Sequence, residues 1–134
     1  MGTMSGAKSR RKGAVWEREV SSILTTLTGV GCARRLRQYQ IGGSDIETEL
    51  PIAVECKTGY RINASKALQQ VQDAAEMGEL PFVWVKQNKK GGSPSRYVIV
   101  HEDDFLPILL DYLRGWVQGR VHAMNIFDSA DQPD

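Results

Sequence analysis

Apolar and polar positions follow two periods along the chain, and each period predicts a type of element. From Gly13 to Leu27 the apolar residues recur at helical spacing, and Gly29 follows as a stop signal. From Pro51 to Lys57 apolar and polar residues alternate one by one, which is typical of a strand with two different faces. The pattern predicts a first helix over 13–27 and a strand over 51–57. The apolar seam of the helix would comprise Trp16, Val20, Ile23, Leu24 and Leu27.

Three further segments have the patterns of strands. An arginine-rich stretch over 32–40 and the turn after it lead to a short stretch over 46–50, which continues toward a hairpin. The continuously apolar run at 82–85 is typical of a strand covered on both faces. A last strand is predicted at 97–100, after a loop rich in Lys, Gly and Pro over 87–95.

Helical spacing returns twice after the first helix. A second helix is predicted over about 64–77, with Asn63 or Ser65 as its N-cap and Gly78 as its stop. A third helix is predicted over about 103–114, capped by one of the two aspartates at its start. The order helix, three strands, helix, two strands, helix predicts an α/β fold in which a mixed β-sheet is flanked by helices.

The length and composition predict one globular domain. The chain has 134 residues, of which 41% are hydrophobic and 25% charged, so fibrous and disordered classes are excluded. We expect a flexible basic arm over 1–12, a folded domain over 13–115 and a C-terminal tail over 116–134 that is a candidate dimer contact.

The chain lacks the signals of export or membrane insertion. No apolar run approaches the length needed to span a bilayer, and no secretory signal is recognised, so we expect no membrane partner. A cytoplasmic location is expected, which includes a phage-encoded protein acting in the host cytoplasm. Cys32 and Cys56 lack the paired spacing of a zinc site and are expected to be reduced packing residues.

Positive charge is concentrated near the start of the sequence. Residues 1–40 hold eight Lys or Arg against two acids, whereas the whole chain has a net charge of only +1. Such a segment favours a polyanion, because each neutralised phosphate releases counterions, and a solvated basic tail is the equally weighted alternative. The candidate DNA contacts are Lys8, Arg10, Arg11, Lys12, Arg18, Arg34, Arg35 and Arg37, together with Ser44, Lys89 and Lys90 from the turns.

The segment Glu55-Cys56-Lys57 is the strongest candidate for chemistry. Glu-x-Lys is common by chance, but here it ends an otherwise apolar strand, where an uncompensated carboxylate is costly to bury. Asp45 lies upstream across the predicted hairpin and could bring a second carboxylate to the same place. An ion pair between Glu55 and Lys57 on one face of the strand is the structural alternative to a metal site.

A pair of carboxylates suits Mg²⁺, which prefers oxygen ligands and keeps water and substrate phosphate in its shell. We expect Asp45 and Glu55 as ligands, joined by the main-chain carbonyl of Cys56 and, through water, by Glu17. Mn²⁺ is the expected substitute for Mg²⁺. Lys57 would hold or deprotonate the attacking water, or stabilise the charge on the phosphate.

The first helix resembles the opening signature of a known nuclease family. Periodicity places both Glu17 and Glu19 at the borders of the apolar seam and does not choose between them. The run from Arg11 to Glu19, with its Lys-Gly and its Glu-Arg-Glu, resembles the first helix of the archaeal-type and phage Holliday junction resolvases, members of the PD-(D/E)xK nuclease superfamily. That resemblance selects Glu17.

Three later segments carry the same resemblance, which covers residues 11–110. Residues 42–46 resemble the family's metal-binding aspartate loop, although Ser44 replaces the proline of the superfamily, and 51–59 resembles its Glu-x-Lys strand. Gln72 is similar to the helix glutamine of related phage nucleases, where a contact to metal-bound water or DNA is implied; an exposed helical glutamine is the equally weighted alternative. The resemblance implies a restriction-endonuclease-like fold with the catalytic residues Glu17, Asp45, Glu55, Lys57 and Gln72.

Several functions are consistent with these observations. The first is a structure-selective DNA endonuclease of recombination and repair that resolves four-way junctions by paired nicks, which implies a C2 homodimer. The second is a duplex endonuclease or nickase of phage replication, packaging or restriction. The third is a non-catalytic DNA-binding module on the same fold, and a purely structural sheet protein is the remaining alternative. Candidate interface residues are Leu109, Tyr112, Leu113 and Trp116.

Overall fold

The computed structural model describes the backbone of residues 2–36 and 44–131. It describes the side chains of residue 8 and of residues 10–36 and 44–120. Arg37, a predicted DNA contact, and Gly42 and Gly43 of the predicted aspartate loop lie outside the described residues. The chain divides into two compact units, Met1–His101 and Glu102–Asp134. Within the described part, no helix combines the length and the apolar character that crossing a bilayer needs.

The described residues form three helices and five strands in the predicted order, so the chain is a mixed α/β protein. Asn63, one of two predicted caps, is the N-cap of the second helix, and its side chain accepts a hydrogen bond from the Lys66 N–H. The elements are α1 (Gly2–Thr28), β1 (Cys32–Arg34), β2 (Ile46–Thr48), β3 (Ile52–Gly59), α2 (Ala64–Ala74), β4 (Leu80–Lys89), β5 (Gly92–Ile99) and α3 (Glu102–Asp131).

The first helix is longer than predicted. α1 begins at Gly2 rather than at Gly13, so residues 2–12, expected to lack regular structure, are helical. This segment has no apolar periodicity, but Met, Ala, Lys and Arg are good helix formers, and a nucleated helix extends at little cost. Leu27, expected in the apolar seam, is 77% exposed because it lies in the last turn, beyond the part of α1 that packs on the sheet.

Two other element bounds also differ from the prediction. α3 runs without a break through Asp131, well past the predicted end near residue 114. The segment 87–95, predicted as a loop, is a hairpin in which β4 continues to Lys89 and β5 begins at Gly92. Gly91 lies between them with a φ of 69°, a left-handed conformation that glycine adopts without steric cost. The composition signalled the turn but not the strands on either side of it.

The strands form two small sheets. β1 pairs with β2 in antiparallel orientation. The predicted hairpin between β2 and β3 is therefore wrong. β3, β4 and β5 form a mixed sheet in that order: β3 and β4 are parallel, with Glu55 opposite Val83, and β4 and β5 are antiparallel. β3 is therefore an edge strand of this sheet among the described residues.

Helices cover both faces of the mixed sheet. α1 packs on one face, where Trp16 meets Trp84 edge to face at a centroid distance of 6.1 Å and donates from Nε1 to its carbonyl at 3.0 Å. The two buried clusters are Trp16, Val20, Leu24, Ile46 and Val54 under α1, and Ala53, Ala67, Val71, Val83 and Val85 under α2. The run at 82–85 is thus covered on both faces, as predicted.

The alternation of side chains along β3 determines which residues face each helix. Cys56 packs against the α1 cluster, and Cys32 packs there too; both thiols are free, as predicted. Glu55 and Lys57 share the opposite face with Ala53, which packs under α2. The candidate catalytic segment therefore has its charged side chains on the α2 face of an edge strand.

Candidate active site

The turn before β2 presents the carboxylate of Asp45. Ser44 is 7% exposed, and its hydroxyl donates to the carbonyl of Ile46 at 2.7 Å. Arg35, the residue after β1, holds the turn: its Nε donates to the Ser44 carbonyl at 2.9 Å, and its main-chain N–H donates to the Asp45 carbonyl at 2.8 Å. Ser44 thus stabilises this turn.

Asp45 is attached to the open edge of β3 through its main chain and its side chain. Its N–H donates to the Val54 carbonyl at 2.9 Å, and its Oδ2 accepts from the Cys56 N–H at 2.8 Å. The N–H and C=O of one residue in a strand point to the same side, so the Cys56 carbonyl faces this edge as well. The expected proximity of Asp45 to the Glu-x-Lys segment is confirmed.

Glu55 and Lys57 form an ion pair on the α2 face of β3. Lys57 Nζ lies 3.3 Å from Glu55 Oε1, and the Glu55 side chain is only 14% exposed. The pairing that strand alternation allowed is therefore present, and it compensates part of the charge of Glu55. It leaves a second negative charge, that of Asp45, acting on the same carboxylate.

Burial and neighbouring negative charge raise the pKa of Glu55. Burial is the largest cause and Asp45 the next, while Lys57 lowers the pKa by its charge and its hydrogen bond. A net upward shift means that the ionised carboxylate has less positive charge around it than its burial requires. A bound cation would supply that charge.

The thiol of Cys56 does not belong to the chemistry of this site. Burial raises its pKa first, and the charges of Asp45, Glu17 and Glu55 raise it further. A thiol in such surroundings stays protonated, so it is a poor nucleophile and a poor metal ligand. Cys56 offers the site its main-chain N–H and carbonyl instead.

Glu17 lies buried on α1, on the side of the sheet that Cys56 faces. It is 3% exposed, and its Oε2 accepts from Arg34 Nε at 3.0 Å. Its carbonyl accepts from the Ser21 hydroxyl at 2.8 Å. Its negative charge contributes to the raised pKa of both Cys56 and Glu55, so it lies within electrostatic reach of the site. Arg34, a predicted DNA contact, holds this carboxylate.

Glu19 faces the β4–β5 hairpin instead. Its two carboxylate oxygens accept from Lys86 Nζ at 2.9 Å and from Arg96 at 2.6 Å. Both cations also lie over the ring of Trp16, with Nζ and Cζ 5.5 and 5.0 Å from its centroid. We call Trp16, Glu19, Lys86 and Arg96 the tryptophan clamp. Sequence patterns do not predict the tryptophan clamp, because Glu19 and Arg96 are 77 positions apart and no local period links its members.

The other predicted site residues are more widely spread. Gln72 is half-buried on α2, and among the described residues its side chain makes no hydrogen bond to Asp45, Glu55 or Lys57. The basic side chains of α1 and of the β4–β5 turn are exposed, which a contact to phosphate requires. They are Lys8, Arg10, Arg11, Lys12 and Arg18 on α1, and Lys89 and Lys90 at the turn.

The donor set suits a hard cation that takes few ligands from the protein. Across the described ranges, no three or more His, Cys, Asp or Glu side chains are arranged to hold a metal ion. Asp45 and Glu55 offer carboxylate oxygens and Cys56 a carbonyl. Mg²⁺ commonly takes one or two carboxylates and completes its shell with water and phosphate, whereas Zn²⁺ requires three or four side chains. The residues fit Mg²⁺.

No family model, no curated protein and no solved structure matches this chain. Any function must therefore be inferred from the residues of the chain and their geometry. The geometry with the clearest chemical meaning is the one around Asp45 and Glu55.

Proposed function

We propose that this chain is a Mg²⁺-dependent DNA endonuclease with a restriction-endonuclease-like fold. The observation that supports this function best is the position of Asp45, held by the Cys56 N–H at the edge of β3 beside a partly buried Glu55 and its Lys57. Two carboxylates at the edge of β3 form a donor set suited to a cation, and the lysine beside them is a group suited to phosphate chemistry. Mn²⁺ would substitute for Mg²⁺.

Each residue has a separate task in the proposed hydrolysis of a phosphodiester bond. When bound, Mg²⁺ would polarise the scissile phosphate and lower the pKa of a bound water. Asp45 and Glu55 would hold the ion together with the Cys56 carbonyl. The Lys57 side chain is 34% exposed, and its ammonium, 3.3 Å from Glu55, would orient the attacking water or stabilise charge on the phosphate. Glu17 would contact the ion through a bound water.

The proposed substrate is branched DNA, and above all a four-way junction nicked in pairs during recombination or repair. Paired nicks require two active sites, and a C2 homodimer supplies them. α3 presents apolar side chains to solvent, among them Tyr112, Leu113 and Trp116, which are 72%, 44% and 53% exposed. These residues, with the less exposed Leu109, are the proposed contacts between two copies. The exposed cations of α1 would meet the phosphates.

The test compares cleavage of a synthetic mobile junction with cleavage of a linear duplex of matched sequence, each with Mg²⁺ and with EDTA. We expect Mg²⁺-dependent nicks in the junction at a higher rate than in the duplex. Preferential cutting of the duplex would retain the nuclease and reject the junction as substrate. If neither the junction nor the duplex is cleaved, the nuclease function itself is rejected.

A further inference from the structure

A cleft lies next to Lys57, on the α2 face of β3. It has a volume of about 220 Å³ and is bounded by the end of β3, the following loop and the first turns of α2. Its lining comprises Lys57, Thr58, Arg61, Ile62, Asn63, Lys66, Ala67 and Gln70. The cleft therefore begins at the proposed catalytic lysine and extends away from the two carboxylates.

The charge of this cleft has one sign. Three of its lining residues are cations, Lys57, Arg61 and Lys66, and none of the eight is an acid. Lys57 forms an ion pair with Glu55, but Arg61 and Lys66 form no ion pair with any described residue. Cations that line one cleft without acidic partners, as Arg61 and Lys66 do, repel one another, and an anion relieves that repulsion.

The backbone that carries these cations is well anchored. Gln87 Nε2 donates to the Tyr60 carbonyl at 3.1 Å, and its Oε1 accepts from the Tyr97 hydroxyl at 2.7 Å, so the loop before α2 is tied to the hairpin. The Asn63 side chain caps α2 through the Lys66 N–H at 3.1 Å. Gly59, with a φ of 145°, makes the bend that leads from β3 into the loop. Arg61 and Lys66 therefore extend from fixed positions.

The chemistry of the cleft indicates phosphate as its ligand. An arginine guanidinium binds phosphate oxygens in pairs, and lysine adds a mobile point charge. Thr58, Asn63 and Gln70 add uncharged polar groups to the lining. The start of α2 contributes about half a positive charge, which is small beside three full cations. The cations are therefore the main attraction for the ligand.

We propose that this cleft binds a backbone phosphate of nucleic acid, adjacent to the phosphate that is cut. The inference rests on the proposed function for its choice of ligand and adds Arg61 and Lys66 to the DNA-binding surface. Because Lys57 borders both places, a strand whose scissile phosphate lies at Asp45 and Glu55 would place a neighbouring phosphate between Arg61 and Lys66. The cleft would hold the strand in register with the catalytic residues.

The test measures the affinity of the full chain for a short fluorescent duplex in EDTA, where no cleavage occurs, over a range of salt concentrations. The variant Arg61→Ala/Lys66→Ala should bind about tenfold or more weakly at low salt. Its slope of log affinity against log salt should decrease by about 0.9 for each lost phosphate contact. Arg114→Ala/Arg120→Ala removes the same charge from exposed positions of α3 and should leave the slope unchanged.

An unchanged affinity and slope in the cleft variant would overturn the proposal. So would an equal loss in the α3 control, because general charge would then explain both results. Circular dichroism and melting temperature establish that each variant is folded, which the exposure of Arg61 and Lys66 favours. If the cleft variant alone loses affinity but the wild-type chain cuts no DNA with Mg²⁺, the nuclease function fails and the phosphate site stands. If the chain cuts DNA and the slopes are equal, only the phosphate site fails.

Discussion

The Oδ2 of Asp45 accepts a hydrogen bond from the main-chain N–H of Cys56 at 2.8 Å. This bond holds one carboxylate at the edge of β3, while Glu55 extends from the preceding position of the same strand. Burial and the negative charge of Asp45 both oppose ionisation of Glu55, and the single Lys57 offsets only part of that effect. A cation between the two carboxylates would stabilise both, which is the physical basis for the proposed Mg²⁺ site.

Glu55 should make the stability of the metal-free chain depend on pH. Its pKa is raised in the folded chain by burial and by Asp45, so the folded chain binds the proton more tightly than the unfolded chain does. Stability then falls as pH rises from about the ordinary value of 4.5 through the raised pKa. Glu55→Gln should melt at a higher temperature than wild type above that window, by an amount that shrinks as the pH falls through it.

The measurement is a series of thermal melts in EDTA from about pH 4 to about pH 8, with the two proteins side by side. Glutamine keeps the shape of the side chain and can still accept a hydrogen bond from Lys57. Parallel curves for the two proteins would show that Glu55 is ionised at no cost and would remove the electrostatic argument for a cation.

Mg²⁺ should raise the melting temperature of the wild-type chain. A ligand at a hundred times its dissociation constant stabilises the folded state by about 2.7 kcal/mol, which is several degrees for a chain of this size. Glu55→Gln should lose this shift. Lys57→Met is the matched control: it lies on the same face of β3 but is not a proposed ligand, so it should keep the shift while losing cleavage. An equal Mg²⁺ shift in Glu55→Gln would place the cation elsewhere.

Glu17 and Glu19 should respond differently to the same substitution. Glu17→Gln should lower the cleavage rate by about 10- to 100-fold, as expected of a group that acts on the site through water. Glu19→Gln should leave cleavage unchanged and destabilise the chain by about 1 kcal/mol or less, because its pairs with Lys86 and Arg96 are partly exposed. Rates and melting temperatures of both variants provide the check. A lower rate in Glu19→Gln alone would reverse the two assignments.

The local features of the site could be predicted from the sequence. Alternation along 51–57 is a property of the strand itself, so it places Glu55 and Lys57 on one face and Cys56 on the other without knowledge of the fold. The proximity of Asp45 to this strand was also predicted, since few residues separate them. The contacts that bring them together differ from the predicted hairpin. β2 pairs with β1, and Asp45 binds β3 through its own N–H and carboxylate.

The long-range features could not be predicted in this way. Helical periodicity tells which residues border a seam but not what packs against each border, so it could not separate the two glutamates. Lys86 lies 67 positions from Glu19, and their pairing depends on how β4 and α1 pack together. The basic cleft was missed for a similar reason, because Arg61 and Lys66 look like ordinary surface cations until β3 and α2 bring them beside Lys57.

Single-turnover cleavage of DNA by wild type and by Asp45→Asn tests the central claim most directly. Asparagine can still accept the Cys56 N–H, so the edge of β3 should keep its geometry while losing one negative charge. Metal ions contribute several kcal/mol to such reactions, and about 1.4 kcal/mol is tenfold in rate. The predicted result is Mg²⁺-dependent cleavage by wild type and a rate at least about 10²-fold lower for the variant. Equal rates for the two proteins would contradict the assignment of Asp45 to a metal-dependent nuclease site.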